Sequence, residues 1–512
     1  MHSIKGEGDL RDEIDGTHAL PRERSVERLK HNALGTVHLV FASASYMAPA
    51  MSAFFTTSII AGSVGVHVAA AYIVATIGIF CTASAVVQFS KKVPSAGSFQ
   101  SFIAKGLGPQ NSFWISIVLV LGYVLLQAGV ITIFGWWTET IIQRYLSITI
   151  PWQVLALLGT LLYGALMIRG VHVSIQYTVA LFVFEFVVLA ALGITILARG
   201  APTGHGINAT GLVPASWSFG GLKALFLALV FSAYSFIGFE GAASYAEETD
   251  NPSRNIAIGT MAGVGLIAFL YIFSTWTTAL GFRSGSALAA SSAPYLTLGN
   301  SYWGGSVVFI YLAGFTSISA NVMAAGNANV RILFNSAREG IFPSVLEHVH
   351  RKWRTPDHAT AAFLVACLGL SVIASIWWDA LTVYALWSGM GALMAIVAYL
   401  ASNAGVARYY FTVWRQEFSW VKHGLLPLIA IVVWGYTLYD SLKPNGFPST
   451  AYPWGLGASI AVGLGYLIYK RRRSPEVVER IGEILAPGIE STAAPAAESV
   501  GKDAAVEVVM DQ

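Results

Sequence analysis

Ser235-Phe236-Ile237-Gly238-Phe239-Glu240-Gly241 interrupts an apolar run, Leu222 to Glu247, that is otherwise long enough to cross a bilayer. Gly238 and Gly241 weaken a helix there. Glu240 sets a carboxyl among apolar neighbours, where a charged side chain costs about 2.5–3.5 kcal/mol on insertion scales. A break at mid-depth frees backbone N–H and C=O groups, which are tolerated only where they line a cavity or are buried in protein. Discontinuous helices of this kind hold small polar solutes in secondary transporters. The segment reads as half of a substrate site.

The composition around it belongs to a membrane protein. Of 512 residues, 55% are hydrophobic and 11% charged, against about 25% charged in an average soluble domain. Apolar runs near the 20 or so residues that cross about 30 Å of hydrocarbon fall at roughly 33–62, 67–89, 111–138, 152–169, 172–197, 222–247, 256–281, 303–336, 359–376, 380–401, 423–441 and 452–470. Twelve transmembrane helices are therefore expected, in an all-α integral membrane protein, between a polar tail at 1–32 and a tail at 471–512 whose Ala-, Glu- and Pro-rich composition reads as disordered. With both termini on the cytoplasmic side of the cytoplasmic (plasma) membrane, 25 of the 30 Lys and Arg face inward; Arg144, Arg199, Lys223, Arg283 and Lys443 face out. That bias sets the orientation.

The first apolar run carries a second interruption, Ala44-Ser45-Tyr46-Met47-Ala48-Pro49-Ala50-Met51-Ser52. Pro49 removes a helix donor and crowds the preceding turn. The two breaks fall in spans one and six, the first helix of each five-helix half, which points to an inverted-repeat transporter with its site between the halves. The halves are 33–197 and 222–401, with 423–470 as two peripheral helices. A restarted helix presents N–H groups and positive dipole; a terminated one presents C=O groups and negative dipole. A solute carboxylate then suits the backbone near Ala48, Ala50, Met51 and Ser52, and an ammonium suits the carbonyls of Ser232, Ala233 and Phe236. No Lys or Arg lies deep in any span, so backbone must do this work.

The run Tyr234 to Glu240, continuing through Glu247-Glu248-Thr249-Asp250-Asn251-Pro252-Ser253-Arg254, resembles the signature of amino acid–polyamine–organocation permeases. Asn329, Arg331, Ala337-Arg338-Glu339-Gly340, Phe342-Pro343 and Thr355-Pro356 form a second matching block, and Val93-Pro94-Ser95-Ala96-Gly97-Ser98-Phe99 with Gly106-Leu107-Gly108 a third. The resemblance implies a five-plus-five inverted-repeat core with two peripheral helices, working by alternating access. It also implies that the span-six backbone and Gly238–Glu240 touch substrate or transmit its binding. The first break departs from the family's Gly-rich pattern, reading Tyr46-Met47-Ala48-Pro49-Ala50. Some proton-driven relatives carry a Lys in span five, near the place where this chain has Glu185.

Glu185, among Phe and Val, is the proton-coupling candidate: a buried carboxyl can exchange a proton as access alternates. Tyr234, Phe236, Ile237, Gln127, Tyr384 and Trp387 are aromatic, apolar or amide groups placed to close a pocket, and Asn321 with Ser317 and Ser319 can complete a polar wall. Glu247 and Glu248 with Arg254, Arg331 and Arg338 are placed for an ion-pair latch at the inward gate. Cys81 and Cys367 lie in apolar runs and indicate neither disulfide framework nor metal cluster. His348, His350 and His358 sit in a basic loop without Cys, and no metal is expected there. No phosphate-binding glycine loop is present, no cofactor is called for, and the net charge of +3 comes from topology rather than nucleic-acid binding.

The expected function is proton-coupled secondary transport of a small molecule, a neutral or aromatic amino acid. The alternative is an amine, polyamine or cationic amino acid carrier or exchanger. A transporter-like amino acid sensor is the alternative of another class. An enzyme is not expected, since no Ser/His/Asp or metal constellation stands out.

Overall fold

The computed structural model describes residues 36–93, 99–170, 175–200, 207–216, 218–241, 252–443 and 446–482. Helix dominates them: α1 Thr36–Tyr46, α2 Pro49–Val64, α3 Val68–Lys92, α4 Phe99–Leu107, α5 Pro109–Leu146, α6 Trp152–Ile168, α7 Ile175–Arg199, α8 Phe219–Phe236, α9 Pro252–Gly281, α10 Gly285–Ala290, α11 Pro294–Trp303, α12 Val308–Arg338, α13 Asp357–Ala374, α14 Ala380–Thr412, α15 Leu426–Ser441, α16 Tyr452–Arg473 and α17 Pro475–Glu479. Among the described residues, eleven helices are long and apolar enough to cross a membrane, with α1 and α2 counted as one; α6, 17 residues long, is a shorter apolar helix where the fourth span is expected.

The 38 residues of α5 reach about 57 Å at 1.5 Å per residue, more than the hydrocarbon needs, so it tilts or projects. It lies along α14, and small residues let the two backbones meet: a Cβ on Gly391 would stand 2.7 Å from the Gly122 carbonyl oxygen. Close approach through small side chains is how membrane helices associate when lipid is as apolar as the core. The large buried cluster built on α2, α3, α5, α8, α9 and α14 surrounds both helix breaks.

Three short helices, α4, α10 and α11, lie in segments that the apolar-run reading leaves as loops. The chain also stays helical further than expected at its end. α16 continues through Arg473, and the following segment packs Val478 and Ile481 against Ala104, Phe113, Ile117 and Ile341. Residues 471–482, assigned by sequence to the tail, are thus built onto the protein. Residues 483–512 and 1–35 lie outside the described residues.

Candidate functional site

Both breaks form where local chemistry removes the helical ladder. The residue ahead of a proline is pushed out of the right-handed helical region, and Ala48 takes φ 46°, ψ 71°. α1 therefore stops at Tyr46, and α2 restarts with Pro49 in its first turn, where a missing donor costs nothing. In the second break, Ile237 adopts φ −59°, ψ 130° and Gly238 φ 111°, a region open to glycine because it has no Cβ. One tight turn follows, with Gly241 N–H donating to Gly238 C=O at 2.8 Å.

Side chains catch many of the freed groups, as buried backbone requires. The Tyr271 hydroxyl on α9 stands 2.9 Å from Met47 O and 2.9 Å from Ser235 O, one carbonyl from each break. Asn321 Nδ2 donates to Tyr46 O (2.9 Å) and the Ser43 hydroxyl to Phe239 O (3.1 Å). Ile237 N–H bonds Tyr234 O at 3.0 Å, one residue short of the α-helical partner Ala233. Glu240 acts as a clasp on its own break: Oε1 accepts from the Tyr123 hydroxyl (2.9 Å) and Oε2 from Gly238 N–H (3.1 Å).

At the start of α2, Met51 N–H donates to Ser317 Oγ at 3.1 Å. Glu185 of α7 places its carboxyl beside that same Ser317 hydroxyl and the Ala50 backbone. Its Oε2 has no hydrogen-bond partner among the described residues. The N-terminal end of α2, where the sequence places a solute carboxylate, thus already holds a protein carboxyl.

A narrow cavity of about 30 Å³ lies between the breaks. One water occupies about 10–15 Å³ on that measure, so an amino-acid-sized solute requires the cavity to widen. The first break supplies Tyr46, Met47, Met51 and Ser52; α5 supplies Tyr123, Leu126, Gln127 and Val130; the second break supplies Tyr234 and Ile237; and α12 supplies Asn321, Ala325 and Asn329. None of these side chains is charged. On the second turn of α2, Phe54 and Phe55 pack with Tyr295 and Trp137 at ring-centroid distances of 4.7 and 5.2 Å, and Trp137 Nε1 donates to Tyr311 O.

Of the residues singled out from sequence, Met51, Ser52, Tyr234, Ile237 and Asn321 line the cavity, as does Gln127. Ala48, Ala50, Ser232, Ala233, Phe236, Gly238 and Glu240 are buried around it without forming its lining. Phe236 turns its ring to Tyr72 and Tyr271, and Tyr384 packs on Tyr234 at 6.0 Å. Trp387 is half-buried on α14 and is not in the lining. Sequence reasoning missed Tyr123 and the roles of Tyr46 and Asn329. The spacing Asn321, Ala325, Asn329 was a usable signal, because every fourth residue returns to nearly the same helix face.

For the inward latch, Glu247 and Glu248 lie outside the described residues. Arg254 and Arg338 are exposed, Arg331 is half-buried, and the Arg338 guanidinium lies 5.7 Å from the Phe334 ring centre. In the loop before α13, ligand-type atoms of His348, Asp357 and His358 gather within 4.8 Å of one another. His348 Nδ1 is bonded to Asp357 Oδ1 at 2.7 Å and its ring stacks on His358 at 4.1 Å, so the group ties the loop to the first turn of α13. His350 stacks instead on Trp353.

Two discontinuous helices bracketing an uncharged, polar-walled cavity inside a membrane-length bundle define a solute carrier rather than an enzyme. Comparison with known proteins gives the family: the amino acid permease model matches residues 38–469, and the chain belongs to it. The low-affinity putrescine importer PlaP of Escherichia coli is 27% identical over 362 residues, 69% of this chain and 76% of that one. The branched-chain amino acid permease BcaP of Bacillus subtilis is 26% identical over 333 residues, 60% of this chain and 68% of that one. The cadaverine/lysine antiporter of Escherichia coli is 33% identical over a shorter stretch of 133 residues, 25% of this chain and 28% of that one.

Proposed function

We propose that the protein carries a neutral amino acid across the cytoplasmic membrane by alternating access, coupled to protons through Glu185. Twelve spans in two inverted five-helix halves and cytoplasmic termini complete the reading. The cavity between the two helix breaks carries it: its walls offer Ser52, Tyr234, Gln127 and Asn321 for a polar solute, and no lining charge selects a charged side chain.

Coupling follows from electrostatics at the start of α2. A solute carboxylate seeking the Ala50 and Met51 amides meets Glu185 in the same place, and two like charges cannot share it cheaply. An amino acid therefore binds best when Glu185 is protonated, and proton and solute travel together as reciprocally linked ligands.

An amine is the second reading, favoured by the same observation. An ammonium without a carboxylate finds in ionised Glu185 a counter-ion rather than a competitor, and two of the relatives above act on putrescine or cadaverine. The sign of the linkage separates the two. A thermal-shift screen of purified protein against neutral amino acids and diamines provides the test, since a ligand at 100 times its Kd stabilises by about 2.7 kcal/mol. For an amino acid, stabilisation strengthens as pH falls and loses its pH dependence in Glu185→Gln. For an amine, it strengthens as pH rises. No stabilisation by any member of either class contradicts the proposal.

A further inference from the structure

We propose that Tyr46 is the door of the cytoplasmic exit and Asn329 its catch: solute leaves inward only when the hydrogen bond between them breaks and the Tyr46 ring withdraws from Gly238. The inference rests on the carrier reading above for the direction of the exit.

Tyr46 is the last residue of α1, and its side chain crosses to another helix. Its hydroxyl donates to Asn329 Oδ1 of α12 at 3.0 Å, in a buried bond joining residues 283 positions apart. The ring lies flat against the second break. A Cβ added to Gly238 would stand 1.6 Å from Tyr46 Cδ1, and one on Gly241 would stand 3.4 Å from Cδ2. Asn321 Nδ2 meanwhile holds the Tyr46 carbonyl at 2.9 Å. One tyrosine thus pins both broken helices to α12, and Tyr46 and Asn329 both form part of the cavity wall.

Their height places them at the inner end. α12 descends toward the cytoplasm, and Asn329 lies about 12 Å further along it than Asn321. Met51 and Ser52 lie on the opposite side of the first break. The pair is also suited to switching. A buried hydrogen bond is costly to leave unmade while the floor is dry, and nearly free to exchange once water reaches it. The floor therefore has two stable arrangements rather than a continuum.

The test reads access, not transport. Ala325, in the cavity wall, is replaced by cysteine in the full-length protein, and inside-out vesicles are treated with a membrane-impermeant thiol reagent. The native cysteines, Cys81 and Cys367, are buried. Tyr46→Phe keeps the ring and removes only the hydroxyl; Asn329→Leu keeps the volume and removes the acceptor. Each should raise the labelling rate about five-fold, the population shift expected from one hydrogen bond. The double variant should label no faster than either single one. An unchanged rate in Tyr46→Phe, or a double variant whose rate is the product of the two effects, overturns the proposal. Labelling requires no solute, so this outcome is independent of the thermal-shift screen, whose failure would strike the carrier reading alone.

Discussion

Gly238 is constrained twice over. Its φ of 111° is one that L side chains rarely adopt, and the Tyr46 ring occupies the space a Cβ would need. Gly238→Ala should therefore lower stability by on the order of 3 kcal/mol, combining backbone strain with overpacking. A thermal-unfolding midpoint in detergent measures this, and a midpoint equal to that of the native protein would refute it. In a Tyr46→Ala background the same substitution should cost less, because the steric part is gone and only the backbone strain stays. Glu240 illustrates how a residue with an evident charge can have a local task. Both of its oxygens are engaged by protein donors, Tyr123 and the Gly238 amide. In this conformation it serves the break rather than offering itself as counter-ion to an ammonium.

At the level of helices, the clearest device outside the cavity is the seat of α17. Glu339, just past α12, accepts from the Gln100 side chain and from Gly482 N–H, while Ser336 donates to Gln100 Oε1 at 2.8 Å. Burial pushes the Glu339 carboxyl up to about 7, against the opposing pull of Gly482, Gln100 and Arg338. A carboxyl whose docked value is raised holds its proton longer in the docked state. Its support for docking is complete below the undocked value of 4.5 and is lost as pH climbs through 7. Opening of the α17 segment should grow about ten-fold between about pH 6 and about pH 8. Hydrogen exchange over residues 475–482 reads this directly; equal protection factors at both pH values, or a persistent dependence in Glu339→Gln, would contradict it.

These elements also mark how far the sequence can be followed. Membrane spans and both breaks were legible because Pro49, Gly238 and the deep carboxyl of Glu240 act within one or two turns. The short helices α4, α10 and α11 were not, since nothing in their composition marks them as spans. The cavity's floor was illegible for another reason. Tyr46–Asn329 and Tyr271–Met47 join residues more than 200 positions apart, and tyrosines reveal such partners only after packing. The carboxylate slot drawn from helix polarity overlooked Glu185, which folding brings to the same amides.

Across the whole molecule, the cavity lies between an aromatic cluster around Phe54, Phe55, Trp137 and Tyr295 and a tyrosine floor at Tyr46 and Tyr123. Alternating access needs these two closures to open in turn around a fixed site. Counterflow in proteoliposomes tests that claim most directly, using whichever solute stabilises the purified protein. Internal unlabelled solute should accelerate entry of labelled solute in a saturable manner, and Asn321→Ala or Ser52→Val should raise the half-saturating concentration about ten-fold, the loss of one good hydrogen bond. Entry that rises linearly with concentration and matches protein-free liposomes would contradict the account, as would saturable entry indifferent to both substitutions.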